Sequence, residues 1–244
     1  MCALGDVLLD VVVRLERPLE QGDDVHAETV LAPGGQAANV AAWAVELGAR
    51  ARVVCKRARD DAARLVAAEL ERRGVELAGP VGDGRTGVVV SIVEPGGERS
   101  LASDRGVSAE LRAEELEEAW FDCDVLHVSG YALDAVRRPG VARRVSVDLA
   151  SWTVIEEAGP DLFRERLAEL DPDVVFAGLR EFEALGGDVP AGEVVRKWEL
   201  PRPAGIAVDS TGAGDAFAAG FLVGGLELGL EAAARCVATV GALP

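Results

Sequence analysis

The chain has 244 residues, 49% of them hydrophobic, enough to bury a sizeable core in one α/β domain without help from disulfides. Its formal net charge of −17 argues against nucleic acid and anionic membranes as partners, because both demand a basic face. An anionic small ligand would have to be held against that field by local devices: backbone N–H groups, helix N-termini, Mg2+ and single arginines.

Residues 2–4 read as a short apolar strand, broken at Gly5 and Asp6 and resumed by a β-branched run over 8–15 that contains Asp10. An aspartate inside such a run needs a reason. A strand over 26–31 leads to Pro33, Gly34 and Gly35, a turn feeding a helix over 36–47 that Gly48 ends. Strand 51–55 and helix 61–73, stopped by Gly74, repeat the unit. Strands over 86–93 and 99–102, separated by Glu94-Pro95-Gly96-Gly97-Glu98, read as a hairpin. Residues 110–120 read as an acidic helix with a solvated face. Strands at 125–128, 145–147 and 174–176 then alternate with helices at 160–170 and 181–185, and Ala-rich helices over 215–224 and 231–240 close the chain.

This alternation predicts an α/β fold with a doubly wound, mostly parallel central sheet flanked by helices, ligands binding beyond the carboxyl ends of the strands. Two stretches break the rhythm. The crossover between strands 125–128 and 145–147 holds Pro139 and Gly140 and is tight for a helix, and 188–208 leaves almost no room for a strand and its return. Both read as if residues had been lost from them. Cys2, Cys55, Cys123 and Cys236 are scattered without a C-x-x-C pair, which fits buried thiols in a reducing cytoplasm. Asp6 and Asp10 interrupt the first apolar stretch, so neither a signal peptide nor a membrane span is expected. His26 and His127 stand alone and read as packing residues.

The strongest signal is the string from Val208 to Gly220, V-D-S-T-G-A-G-D-A-F-A-A-G. A strand end, then Gly212-Ala213-Gly214, then a helix leaves several N–H groups unpaired and aimed one way, with the positive end of the helix dipole behind them. No Gly-Lys-Ser/Thr follows, so it is not a Walker loop, and its late position is wrong for a Rossmann fingerprint. Asp215 in the first turn reads either as an acid complementing the dipole, worth about 0.3 to 1 kcal/mol, or as a base. A carboxylate beside an anion cradle repels the phosphate held there, which makes better sense as a group that deprotonates an attacking hydroxyl.

D-S-T-G-A-G-D-A-F-A-A-G resembles the C-terminal signature of the PfkB or ribokinase-like family of carbohydrate kinases. Gly34-Gly35-Gln36-Ala37-Ala38-Asn39 resembles the family's G-G-x-x-x-N element, and Gly5-Asp6 with Asp10 resembles its opening strand and sugar-binding acid. The resemblance runs in order from residue 2 to about 242. It implies ATP-dependent phosphoryl transfer to a hydroxyl of a sugar or sugar acid, with Asp215 as general base and Gly212, Ala213 and Gly214 as anion hole. Asp10, Gly34, Gly35 and Asn39 would bind the acceptor, and Asp209 and Thr211 would lie near the nucleotide phosphates and a monovalent-cation site such as one for K+. Strands drawn from about 11–31 and 86–102 would form a small β-sheet lid through which a homodimer could assemble. Arg105 reads either as an exposed turn residue or as a contact to a substrate carboxylate or phosphate. The family's N-x-x-E motif falls at Gly178-Leu179-Arg180-Glu181, where the glutamate is present and the asparagine is not, so Glu181 is expected to hold Mg2+ with water or to be a solvated first-turn acid. A nucleoside kinase of the same family, or a non-catalytic binding relative, are the other readings.

Overall fold

The computed structural model describes residues 1–22, 24–96, 99–201 and 209–244. The turn residues Gly97 and Glu98, and the Val208 that opens the glycine-rich motif, lie outside them. In chain order the elements are β1 (Cys2–Leu4), β2 (Leu8–Leu15), β3 (Ala27–Gly34), α1 (Gln36–Glu46), β4 (Arg52–Val54), α2 (Asp61–Arg72), β5 (Glu76–Ala78), β6 (Thr86–Val93) and β7 (Arg99–Gly106). There follow β8 (Val125–Ser129), β9 (Arg144–Asp148), α3 (Trp152–Ala158), α4 (Pro160–Leu170), β10 (Val174–Ala177), α5 (Leu179–Ala184), β11 (Glu193–Arg196), α6 (Ala213–Gly224) and α7 (Leu226–Val237).

Seven strands form one parallel sheet in the order β11-β10-β9-β8-β1-β4-β5. Its strands are apolar on both faces, as a parallel sheet covered on both sides requires. Leu4, Leu126, Val128, Val147 and Val175 pack against Ile155, Phe163 and Leu167 of α3 and α4. On the other face Ala3, Val53 and Cys55 meet α1 and α6, while Phe176 meets Phe217 edge-on. The chain moves outward from β1 to β4 and β5, then returns to build β8 through β11 on the other side. The strand order therefore reverses between β1 and β8, and a crevice opens there at the carboxyl ends.

The second sheet has four strands in the order β3-β2-β6-β7, with β2 antiparallel to β3 from Leu8↔Gly34 to Leu15↔Ala27, and parallel to β6. It is the small sheet expected from residues 11–31 and 86–102, with β3 running on to Gly34 and β7 to Gly106. Val30, Leu31 and Leu101 on its outer strands are exposed.

Three local expectations are corrected. Residues 110–120 form no α-helix; 3-10 turns at Val107–Glu110, Ala113–Glu115 and Glu118–Phe121 take their place. A helix would stack Glu110, Glu114 and Glu118 at i,i+4 spacing, where like charges repel. Lys56 instead pins the segment, its Nζ donating to the Glu110 carbonyl at 3.2 Å and to the Glu115 carboxylate at 2.7 Å. Residues 188–201 do hold a strand, β11, in register with β10, and Lys197 enters a 3-10 turn (Lys197–Glu199) directly from it, while the place for its return, 202–208, lies outside the described residues. Helix α3, unmarked by apolar periodicity, starts where the Ser151 hydroxyl accepts from the Thr153 N–H. The tight crossover between β8 and β9 contains a 3-10 turn, Gly130–Ala135.

Candidate active site

The crevice between β1 and β8 is set by close backbone approach. A Cβ on Gly5 would lie 2.7 Å from the Ser129 Cβ, so only glycine lets β1 leave the sheet here. Beyond it, between α1 and the small sheet, lies a cavity of about 250 Å³ lined by Asp6, Asp10, Gly35, Gln36, Arg105 and Thr211 among others. Gly35 opens α1 with φ of 97°, and a Cβ there would lie 2.3 Å from the Asp6 carbonyl oxygen. Gly34 faces the Asp10 carboxylate so closely that a Cβ would overlap it at 2.0 Å. The paired glycines thus let the chain pass beneath an acid that reaches into the cavity from the middle of β2.

Arg105, at the end of β7, forks the buried Asp6 carboxylate through Nε and Nη2, each at 2.7 Å, and lies over the Tyr131 ring at 4.6 Å. Its Nη2 also reaches the Tyr131 carbonyl at 3.3 Å. It is therefore a built member of the cavity wall and no loose turn residue; its charge is already matched by Asp6.

The glycine-rich turn delivers the donors expected of it. Gly212 sits in the left-handed region (φ 75°) and caps α6, and a Cβ on it would lie 2.5 Å from that of Ala242. Among the described residues the N–H groups of Gly212, Gly214 and Asp215 have no hydrogen-bond partner, and that of Ala213 leans weakly on the Ser210 carbonyl at 3.4 Å. Asp209 fastens the turn: its Oδ1 accepts from the Thr211 N–H at 2.9 Å and hydroxyl at 2.6 Å, and its Oδ2 from the Gly241 N–H at 3.0 Å.

Asp215 turns inward from the first turn of α6. Its Oδ2 accepts from Asn39 Nδ2 at 2.7 Å, across from α1. Burial drives its carboxyl up to about 7, and the negative Asp148 adds to this, while hydrogen bonds from Asn39 and Gln36 and the charge of Lys197 hold it down. A carboxyl poised there is half-ionised near neutral pH, which suits a group that must take a proton and later release it. Asn39, expected at the acceptor, spends its amide N–H on this carboxylate, and its Oδ1 is buried without a partner, as is Gln36 Oε1.

At the far wall, Lys197 reaches from the end of β11 across β10 to Asp148 at the end of β9, with Nζ 2.9 and 3.2 Å from the two carboxylate oxygens. Glu181 folds back at the start of α5, and its Oε2 occupies the place of a side chain on Gly178, 2.1 Å from where a Cβ would stand. No group of three or more His, Cys, Asp or Glu that could hold a metal ion gathers among the described residues.

Comparison with known proteins shows the family. Residues 1–197 and 189–243 match the pfkB family carbohydrate kinase. The chain belongs to that family. It is a carbohydrate kinase, and its family match divides within the compressed stretch around β11. An ATP-dependent ribose-1-phosphate kinase of Halopiger xanaduensis is 32% identical over 269 aligned positions, which cover 95% of this chain and 88% of that protein. The adenosine kinase of Sinorhizobium meliloti superposes with a TM-score of 0.82 at 23% identity, covering 100% of this chain and 95% of that one. An uncharacterized sugar kinase from Pyrococcus horikoshii, solved in complex with ATP, gives 0.79 at 21% identity, covering 99% and 93%.

Within this kinase the structure brings Asp10, Gly34, Gly35 and Arg105 together at the cavity, with Asn39 bridging from α1 to Asp215 and the anion turn. Glu181 stands apart on the β10 side. Sequence reasoning passed over Lys197, Asp148 and Gln36. One signal for Lys197 was present: the chain has only two lysines, Lys56 and Lys197, in a sequence that otherwise uses arginine. No helix among the described residues is long and apolar enough to cross a membrane.

Proposed function

We propose that this kinase transfers the γ-phosphoryl group of ATP to a hydroxyl of a small sugar-like acceptor held between α1 and the small sheet. The observation that carries the reading is the union, on one turn, of unpaired N–H groups at Gly212 and Gly214 with an inward carboxyl at Asp215 that titrates near neutrality. The acceptor's hydroxyl gives its proton to Asp215 as its oxygen bonds to phosphorus; the bond between that phosphorus and the bridging oxygen breaks, and ADP leaves with the electron pair. Gly212, Ala213 and Gly214 N–H groups take up the charge that gathers on the transferring oxygens, aided by the dipole of α6. Asp10 accepts hydrogen bonds from the acceptor's other hydroxyls, while Gly34 and Gly35 let the acceptor approach the backbone. Arg105, oriented by Asp6, presents the cationic edge that an anionic substituent would meet. Glu181, with the donor's phosphates, would hold Mg2+, which would supply charge neutralisation there. A monovalent cation such as K+ beside Asp209 belongs to the same reading.

The small sheet acts as a lid that keeps water from the acceptor. Its exposed β3 edge, with Val30 and Leu31, would be the surface for a homodimer.

Ribose 1-phosphate stands first among acceptors, because the 32% identical relative is named for it; ribose, 2-keto-3-deoxygluconate, fructose, adenosine and cytidine complete a panel for coupled ADP detection. ADP release that depends on a sugar or sugar phosphate supports the reading. A nucleoside outrunning every sugar would move the acceptor to that class, and a wild-type protein that binds ligands but releases no ADP with any acceptor would be a non-catalytic relative.

A further inference from the structure

The wall that closes the anion turn carries a cation, Lys197, that no part of the motif names. Lys197 Nζ lies 3.6 Å from where a Cβ on Gly214 would stand, so the ammonium sits directly against the glycine whose N–H faces the cradle. It is held there by Asp148, which is 1% exposed and also anchored by the Ala150 N–H at 2.9 Å. Lys197 is long enough to serve because β11 ends beside β10 and the chain enters its 3-10 turn at once.

We propose that Lys197 is a catalytic residue that contacts the transferring γ-phosphoryl group, with Asp148 as the positioning residue that aims it. This deepens the kinase reading and rests on it. Gly178 supplies no side chain toward the phosphates, and Glu181 has folded into the space one would have used, so the cradle has a carboxylate on that side and needs a cation to offset it. Lys197 interacts electrostatically with Asp148, Asp215 and Glu181 together. Burial works against the charge, but the carboxylates of Asp148, Asp215 and Glu181 together outweigh it and keep the ammonium charged. When the donor's phosphates arrive, the ammonium's three donors allow it to keep one Asp148 oxygen while turning another N–H to a phosphoryl oxygen. A point charge on a flexible stem can follow the phosphoryl from donor to acceptor, which a rigid guanidinium fork does less well. This gives a reason for a lysine here in an arginine-rich chain.

The test compares Mg2+ complexes of AMP-PNP and ADP, by calorimetry, on wild type, Lys197→Met, Lys197→Arg and the double variant Lys197→Met/Asp148→Asn. The double variant guards against misfolding, because Lys197→Met alone leaves a buried carboxylate unpaired. Expected are a loss of AMP-PNP affinity of about tenfold or more in both methionine variants, ADP affinity within about twofold of wild type, partial recovery in Lys197→Arg, and kcat lowered about a hundredfold with acceptor KM unchanged. Wild-type preference for AMP-PNP over ADP retained in the folded double variant, or an unchanged kcat, overturns the assignment of Lys197 while leaving the kinase reading intact. A wild-type protein that binds neither nucleotide overturns both.

Discussion

Replacing the Asp215 carboxylate by an amide should separate stability from activity in a way only a strained catalytic acid produces. The folded protein holds this carboxyl at about 7 against an ordinary value of 3.8. A raised acid binds its proton more tightly folded than unfolded, so the native state is favoured at low pH and loses stability as pH climbs from about 4 through 7. The full gap corresponds to ~4 kcal/mol on the charged form, and because the side chain is only partly buried the realised penalty is closer to roughly 2 kcal/mol. Asp215→Asn keeps an oxygen for Asn39 Nδ2 to bond and removes the penalty. The variant should match wild type in urea denaturation near pH 3.5, below the unfolded-state value, and exceed it by roughly 2 kcal/mol at pH 8, while phosphoryl transfer falls by about 10² to 10⁴. Should the variant be no more stable than wild type at pH 8, or differ from it by the same amount at both pH values, the argument that burial strains this carboxyl is wrong.

Four further outcomes follow from the same geometry. Since the base must be ionised, kcat/KM of the wild type should rise with pH through about 7 and then level; Asn39→Leu, which removes the donor at 2.7 Å, should move that rise to higher pH and lower the rate at pH 7 by roughly tenfold. Asp10→Ala should raise acceptor KM by about tenfold or more and leave the KM for ATP within twofold, read from paired saturation curves. Gly35→Ala places a Cβ against the Asp6 carbonyl at a φ of 97° and should cost more than about 3 kcal/mol, giving little soluble protein in an expression and melting assay. Chelation of Mg2+ by EDTA should abolish ADP release and leave the melting temperature of the nucleotide-free protein unchanged, since no described cluster of side chains depends on the ion.

The main features of the fold were legible because they are written in local signals. Strand 2–4 against helix 36–47, and the short apolar runs at 125–128, 145–147 and 174–176, each mark a buried parallel strand or its covering helix. The acidic run at 110–120 misled because composition suggested a helix, while the structure depends on a distant lysine pulling that segment into short turns. Strand β11 was hidden because edge pairing to β10 needs only four residues, and at its carboxyl end Lys197 runs into Trp198 with no turn residue. The anion turn and Asp215 were readable because backbone geometry forces glycines into the sequence there. Lys197 and Asp148 were not, because their partnership joins two strand ends 49 positions apart, and nothing short of the sheet order brings them together.

The central claim meets its most direct trial in following the label from [γ-32P]ATP into a sugar phosphate, with wild type and Asp215→Asn compared side by side and AMP-PNP affinity measured on both. The account predicts acceptor-dependent label transfer by the wild type, its near loss in the variant, and similar nucleotide affinity in the two. Label transfer that survives in Asp215→Asn at close to the wild-type rate would contradict it.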